Sequence, residues 1–413
     1  MNGQETHEQA GAEGTKPRLS RQASAIDLPG AALPGGRKGS LITLGWGYPD
    51  PVVFPTEGLL AALSAGLGED GEHVLQYGGG RGAAMLRAWL SRHLAERGVT
   101  VAPEQVLLSG GSTAAFDWVC RLFVDPGDVV WTEDPSYYGA LRVFGLDGAQ
   151  LRGIPSDGQG IDPDRLEAAL RTASTTGRLP KFLYTVPSYQ NPTGELMPLA
   201  RRRRLVELAA EYDFFIVEDD AYAELWFEEP TPPPLKALAP ERVILLGTFS
   251  KLIAPAVRLG WVLPPQALIS PMTQVQGGGG YNPIVVEGVG RWLEATDFAA
   301  HLCTLRAHYR ARRDLMEEAL RRELSGAAQW QTPGGGFFYW LTFVEGLDSD
   351  LVLGCAKERG VDFVGGRAFR LGRCERDNQA RLCFSFADSE QIGRGIGLLR
   401  AALTQAEAKG ALR

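Results

Sequence analysis

The sequence predicts an α/β protein with a largely parallel sheet, followed by a smaller α+β region. Three observations carry this. Short apolar runs alternate with amphipathic helical segments from about residue 80 to 265. Polar loops rich in glycine and proline follow the ends of those apolar runs. From about residue 295 the order changes to one long helix, short strands and a closing helix.

The elements follow in order. Residues 1–40, rich in Gly, Ala, Glu, Ser and Arg without sustained periodicity, read as a flexible arm. Order is expected to begin near Leu41. Arg81 to Arg97 predicts a helix with Met85, Leu86, Trp89, Leu90 and Leu94 on one face and Gly98 as its stop. Val106–Leu108 is a short apolar strand. Thr113 to Val124 is helical and ends at Asp125-Pro126-Gly127-Asp128. Strands follow at Val129–Trp131, Phe182–Val186, Phe214–Val217, Val243–Leu246 and Trp261–Leu263, with a helix over Leu199–Tyr212 between two of them. Beyond residue 295, a helix bearing Arg306, Arg310 and Arg313 precedes strands near Phe337–Leu341 and Arg381–Phe386.

Composition narrows the function. The 413 residues are enough for two or three domains. The formal net charge of −7 argues against bulk electrostatic binding to nucleic acid or to an anionic membrane. No apolar run reaches the roughly 18 residues of a membrane span, and no hydrophobic leader follows the N-terminal charges. The five cysteines, Cys120, Cys303, Cys355, Cys374 and Cys383, form no CxxC pair, so neither a disulfide framework nor a zinc site is signalled. The histidines show no ligand spacing, and no metal is expected. A reducing cytoplasm is the expected setting. Lysine occurs only at 16, 38, 181, 236, 251, 357 and 409, so lysine-specific chemistry has few candidates.

In an open α/β sheet, ligands bind at the carboxyl ends of the strands, so the residues after each strand matter most. After Val106–Leu108 comes Ser109-Gly110-Gly111-Ser112-Thr113, opening a helix. Its free N–H groups and two hydroxyls suit an anion, although alone such a loop is also a tight turn. After Val129–Trp131 comes Thr132-Glu133-Asp134-Pro135-Ser136-Tyr137-Tyr138, which places an aromatic ring where a planar ligand could stack. After Phe182–Val186, Pro187 to Gly194 forms an irregular loop presenting Asn191. After Phe214–Val217 stand Glu218, Asp219 and Asp220, then Tyr222. Acids there are costly unless paired or liganding. After Val243–Leu246 comes Gly247-Thr248-Phe249-Ser250-Lys251, with Arg258 seven residues on.

Taken together these groups suit pyridoxal phosphate. A lysine amine can form a Schiff base, and a carboxylate can keep the pyridine nitrogen protonated. A phenol and an amide can bond the ring oxygen. Hydroxyls, a helix N-terminus and an arginine can hold the phosphate.

On Pro187–Gly194, Glu218–Tyr222 and Thr248–Gly260, the sequence resembles the fold-type-I pyridoxal-phosphate enzymes, aminotransferase class I/II, over about residues 41–405. It is similar to the branch holding kynurenine/2-aminoadipate aminotransferases and the aminotransferase part of MocR-type regulators. The resemblance implies a mostly parallel seven-stranded sheet flanked by helices, in a large domain over residues 76–295. It also implies an N-terminal segment over 41–75 that joins a small domain over 296–413. Lys251 is then the Schiff-base lysine, and Asp219 pairs with the pyridinium. Tyr222 and Asn191 bond the ring oxygen, and Tyr137 stacks on the ring. Ser112, Thr113, Thr248, Ser250 and Arg258 hold the phosphate. Tyr77 matches a tyrosine that reaches the partner subunit's phosphate in a homodimer with shared sites. Arg381 matches the arginine that clamps the substrate α-carboxylate, and Gly47 the segment that closes over the substrate. Trp46, Tyr48 and Tyr281 suggest a large or aromatic substrate.

The implied reaction moves an amino group between an L-amino acid and a 2-oxo acid, in amino-acid metabolism or biosynthesis. The same groups also fit β/γ-elimination, replacement or carbon–carbon bond formation. The run Gly277–Gly280, poor helix material where the family has a helix, suggests a site widened for a bulky second substrate. A DNA-binding regulator is not expected, because the arm before Leu41 lacks paired amphipathic helices. Arg201–Arg204 reads as a charged, solvated helix face.

Overall fold

The computed structural model describes residues 41–77, 84–277, 280–372 and 377–410. The expected arm over 1–40, the expected helix start at Arg81, Cys374, and Gly278 and Gly279 of the glycine run lie outside the described residues.

The strands among the described residues are, in chain order, β1 Ile42–Thr43, β2 Leu107–Ser109, β3 Val129–Asp134, β4 Gln150–Pro155, β5 Phe182–Thr185, β6 Phe215–Asp219, β7 Val243–Thr248, β8 Gly260–Leu263, β9 Ala328–Trp330, β10 Phe338–Phe343, β11 Val361–Asp362, β12 Val364–Gly365 and β13 Gln379–Cys383. Seven of them form one sheet in the order β2-β8-β7-β6-β5-β3-β4. Strand β8 runs antiparallel to both neighbours, and the other pairings are parallel.

The central strands read as unbroken apolar runs because both of their faces are covered. Alternate residues go to opposite sides. Trp131, Leu183, Ile216 and Val243 pack with Leu166 and Leu170 of helix Pro163–Thr175 and with Leu205 and Leu208 of helix Leu199–Glu211. Val130, Phe182, Tyr184, Val217 and Ile244 pack on the other face with Phe116, Val119 and Phe144, from helices Ser112–Phe123 and Tyr138–Leu146. Burying each such side chain contributes about 1.5–3 kcal/mol before the entropy of ordering it is set against this.

Two readings need correction. Strand β4, Gln150–Pro155, has no counterpart among the strands expected from the sequence. This is an edge strand in which only Ile154 is buried, so it lacks the apolar signature of its neighbours. The arginine run at 201–204 is not uniformly solvated. Arg202 is 1% exposed, and its guanidinium donates to the carbonyls of Pro187, Met197, Pro232 and Pro233 and to Ser188 Oγ. It ties the proline-rich connection at 230–234 to the loop after β5.

Beyond the 27-residue helix Phe298–Leu324 lies a four-stranded antiparallel sheet, β12-β13-β10-β9. The N-terminal strand β1 pairs in parallel with β11, and Cys383 N donates to Leu44 O at 2.6 Å. Residues 42–48 therefore run alongside the C-terminal sheet and on towards the ends of the large one. No described helix is long and apolar enough to cross a membrane, and no described cluster of His, Cys, Asp or Glu could hold a metal ion.

Candidate active site

A cleft of about 230 Å³ opens at the carboxyl ends of the parallel strands. It is lined by Ser112, Thr113, Tyr137, Asn191, Asp219, Tyr222, Thr248, Ser250, Lys251, Arg258, Arg381 and Gly47, together with Trp46, Tyr48, Tyr138 and Phe338. Every site residue expected from the sequence is there except Tyr77 and Tyr281. Tyr77 is 99% exposed, and Tyr281 packs at the margin of the main core.

Three consecutive acids end β6, and each has a different partner. Glu218 accepts from the backbone N–H groups of Leu235 and Lys236 at 2.9 and 3.0 Å. Asp220 accepts from Arg97 at 2.5 Å. Asp219, between them, points into the cleft. Its Oδ2 accepts from the Tyr184 hydroxyl at 2.9 Å, while Oδ1 is buried without a hydrogen-bond partner. Burial, reinforced by the neighbouring Asp220 charge, lifts the Asp219 carboxyl to about 6 against the pull of Tyr184 and Lys251.

Lys251 follows β7. Its Nζ donates to Gly47 O at 2.8 Å. Burial, together with the Arg381 and Arg258 charges, brings its amine down to about 8, so a useful fraction is unprotonated near neutrality. Arg381, on β13, is buried. Nη1 donates to Asn191 Oδ1 at 2.6 Å and Nη2 to Gly45 O at 2.5 Å. Its guanidinium lies 4.3 Å from the Phe338 ring centroid and 4.8 Å from that of Phe369.

At the other end of the cleft, Gly111 caps helix Ser112–Phe123 with φ of 96°, a conformation that disfavours side chains. A Cβ there would lie 3.2 Å from Arg258 Nη2, so the guanidinium stands against the helix start. Thr248 Oγ1 donates to Ser250 Oγ at 3.0 Å beside it. Arg258 makes no ion pair among the described residues. A cation facing a helix N-terminus, with hydroxyls around it, suits an anion.

Sequence reasoning missed three supporting residues. Tyr184 shares a sheet face with Asp219, since its register partner Val217 lies two residues before that acid. Two-residue alternation across neighbouring parallel strands could have found it. Gly139 makes room for Tyr137, because a Cβ there would come within 2.5 Å of the tyrosine ring. Glu133 carried no signal beyond being an acid in an apolar strand.

Residues 54–398 match the family described as aminotransferase class I and II. The chain is a class I and II aminotransferase. It is 35% identical over 360 residues to an aromatic-amino-acid aminotransferase of Thermococcus litoralis, covering 86% of each chain. It is 37% identical over 369 residues to a 2-aminoadipate transaminase of Thermus thermophilus, covering 88% of this chain and 90% of that one. Among solved structures, the kynurenine aminotransferase of Pyrococcus horikoshii, crystallised with PMP, superposes with a TM-score of 0.88 at 33% identity, covering 94% and 97% of the two chains. The fold is that of the fold-type-I aminotransferases. This aminotransferase moves an amino group between an amino acid and a 2-oxo acid with pyridoxal phosphate.

The aminotransferase's residues fit that cofactor on three counts. The orphaned Asp219 Oδ1 lacks the partner that a pyridinium N–H would be. The cradle of Arg258, Ser112, Thr113, Thr248 and Ser250 offers a guanidinium, a helix start and hydroxyl groups suited to a phosphate. The lysine between them has a lowered proton affinity.

Proposed function

We propose that Lys251 bears the cofactor and that the substrates are large or aromatic L-amino acids and their 2-oxo acids. The observation that carries this reading is the convergence of the Lys251 amine, the unpartnered Asp219 oxygen and the Arg381 guanidinium on one cleft. Pyridoxal phosphate, when bound, supplies a carbonyl for amine exchange and a protonated ring that draws electrons from the substrate Cα. The chain supplies the rest. Arg381 orients the substrate carboxylate through its planar donor fork. Lys251 takes the proton from Cα as general base. Asp219, held by Tyr184, would pair as a carboxylate with the pyridinium. Tyr222 and Asn191 would bond the ring oxygen, and Tyr137 would stack on the ring. Ser112, Thr113, Thr248, Ser250 and Arg258 would hold the phosphate.

What surrounds the remaining space supports the proposed substrate class. Trp46 and Tyr48 stack with ring centroids 5.6 Å apart, and Tyr138 and Phe338 complete the wall. The lining cations, Lys251, Arg258 and Arg381, are all assigned, so no described lining cation remains for a side-chain carboxylate. Aromatic donors should therefore outrun glutamate in single-turnover half-reactions followed by cofactor absorbance. An equal or better rate with glutamate overturns the aromatic preference. Borohydride reduction should fix the cofactor to Lys251. In Lys251→Ala the covalent label should vanish and transamination fall by about 10⁴-fold or more; a label that persists refutes the assignment.

We further infer a homodimer with Tyr77 and Tyr281 serving the neighbouring site. Of the eight large exposed hydrophobic side chains among the described residues, six lie within residues 41–77, including Val52, Leu60, Leu75 and Tyr77. Such a concentration supports burial against a second copy. An active monomer in sedimentation would refute it. The four described cysteines are all free, which supports a reducing, cytoplasmic setting.

A further inference from the structure

Glu133 lies on β3, two residues before Pro135 and four before Tyr137, and is 1% exposed. It makes no ion pair among the described residues. Instead its carboxylate gathers three donors. Thr185 Oγ1 reaches Oε1 at 2.6 Å, and Val186 N and Gln190 Nε2 each reach Oε2 at 3.1 Å. Gln190 then extends the connection in two directions. Its Nε2 also donates to Pro135 O at 2.8 Å, and its Oε1 accepts from Thr193 N and Thr193 Oγ1, both at 2.8 Å.

These bonds join two loops that leave different strands. One carries Tyr137, and the other carries Asn191, which holds Arg381. Neither loop is tied to the other in this stretch by a strand ladder, since the β3–β5 register covers only Trp131–Leu183 and Thr132–Tyr184. The charge has no counterion, and an aliphatic side chain would leave three buried donors without an acceptor. Burial, which weakens the charged form, lifts the Glu133 carboxyl to about 7 even against these three donors; Glu195 adds to the rise, and Tyr184 is the other titratable group facing it.

We propose that Glu133 is a positioning residue for the transamination site: through Gln190 it sets the loop bearing Tyr137 and the loop bearing Asn191 at a fixed separation. This rests on the roles given above to Tyr137, Asn191 and Arg381. Slackening the link moves the cofactor's stacking partner and the support of the carboxylate clamp together, while leaving Lys251 in place. Substrate and cofactor binding therefore suffer more than the chemical step.

The test is a double-mutant cycle of Glu133→Ala and Gln190→Ala, with Glu133→Gln as the conservative variant. The dissociation constant of pyridoxal phosphate is measured by fluorescence titration of each apoprotein, and KM and kcat on each holoenzyme. Glu133→Ala and Gln190→Ala should each raise the amino-donor KM and the cofactor dissociation constant about tenfold, with kcat changed less than about threefold. The double variant should be no worse than the poorer single one. Glu133→Gln should stay close to the parent, because its amide oxygen serves Val186 and Gln190 while Thr185 turns its hydroxyl to accept. Unchanged KM and dissociation constant in Gln190→Ala overturn the proposal, as do additive effects in the double variant, or a Glu133→Gln as impaired as Glu133→Ala. Should Glu133→Ala not fold, Gln190→Ala and Glu133→Gln decide it. A parent that neither binds pyridoxal phosphate nor transaminates would refute the functional reading instead.

Discussion

The two ends of the cleft handle positive charge differently. At the end formed by Gly111, Ser112, Thr248, Ser250 and Arg258, a guanidinium faces a helix start with no counter-charge among the described residues. At the end formed by Gly45, Asn191 and Arg381, the guanidinium is already bonded to two neutral oxygens. Bringing together an unsatisfied cation and a helix dipole is unfavourable until an anion arrives, so the first end suits a group that stays. Neutral acceptors satisfy the second end moderately and can be exchanged, which suits a molecule that comes and goes. On the reading proposed above, the first end would take the cofactor's phosphate and the second the substrate's carboxylate.

That contrast can be broken at either end. The larger effect is expected at Arg381. Arg381→Lys keeps the charge but loses the planar fork, and kcat/KM for the amino donor should fall about 10²-fold, with the dissociation constant of pyridoxal phosphate nearly unchanged. At the other end Arg258→Ala should do the converse: the cofactor should bind about tenfold more weakly, while KM at saturating cofactor moves little. Steady-state kinetics over a cofactor titration reads both. If either variant moves both constants equally, the two subsites are not independent.

A smaller effect sharpens the cofactor end. In the proposed role Asp219 must be ionised to meet a pyridinium, and burial sets its carboxyl at about 6 without one. Cofactor affinity should therefore be level above that pH and decline below it. Tyr184→Phe removes a hydrogen bond that favours the carboxylate, so the carboxyl rises and the decline begins at higher pH. A shift of about one pH unit is expected, since a hydrogen bond to a charged group is worth about 1.5–3 kcal/mol and one unit corresponds to about 1.4. Fluorescence titrations from pH 5 to 8 would detect it. An unmoved limb would mean that the Tyr184 bond does not tune Asp219.

What the sequence disclosed follows the same division. Strands with both faces covered announced themselves as apolar runs, and the residues after them form the cleft. Lys251 stood out because lysine is scarce, and Asp219 because an acid behind a buried strand needs a reason. The edge strand Gln150–Pro155 stayed hidden because one buried side chain leaves no pattern. Tyr184 and Glu133 stayed hidden for another reason. Each lies within an apolar strand, and its significance is a partner on the adjacent strand or loop, 35 residues away for Tyr184 and 57 away from Gln190 for Glu133. Arg202 was misread because a run of four arginines says nothing about which one turns inward.

The segment that follows β1 has a thermodynamic consequence. Its Gly45 and Gly47 carbonyls occupy hydrogen-bonding positions on Arg381 and Lys251. If Arg381 is the carboxylate clamp proposed above, an arriving carboxylate does not meet a bare guanidinium; it must displace a carbonyl that already satisfies part of it. The measured affinity is then an exchange free energy, smaller than the ion pair alone would give. A weak net affinity of this kind lets product leave as readily as substrate enters, and a reversible transfer requires both.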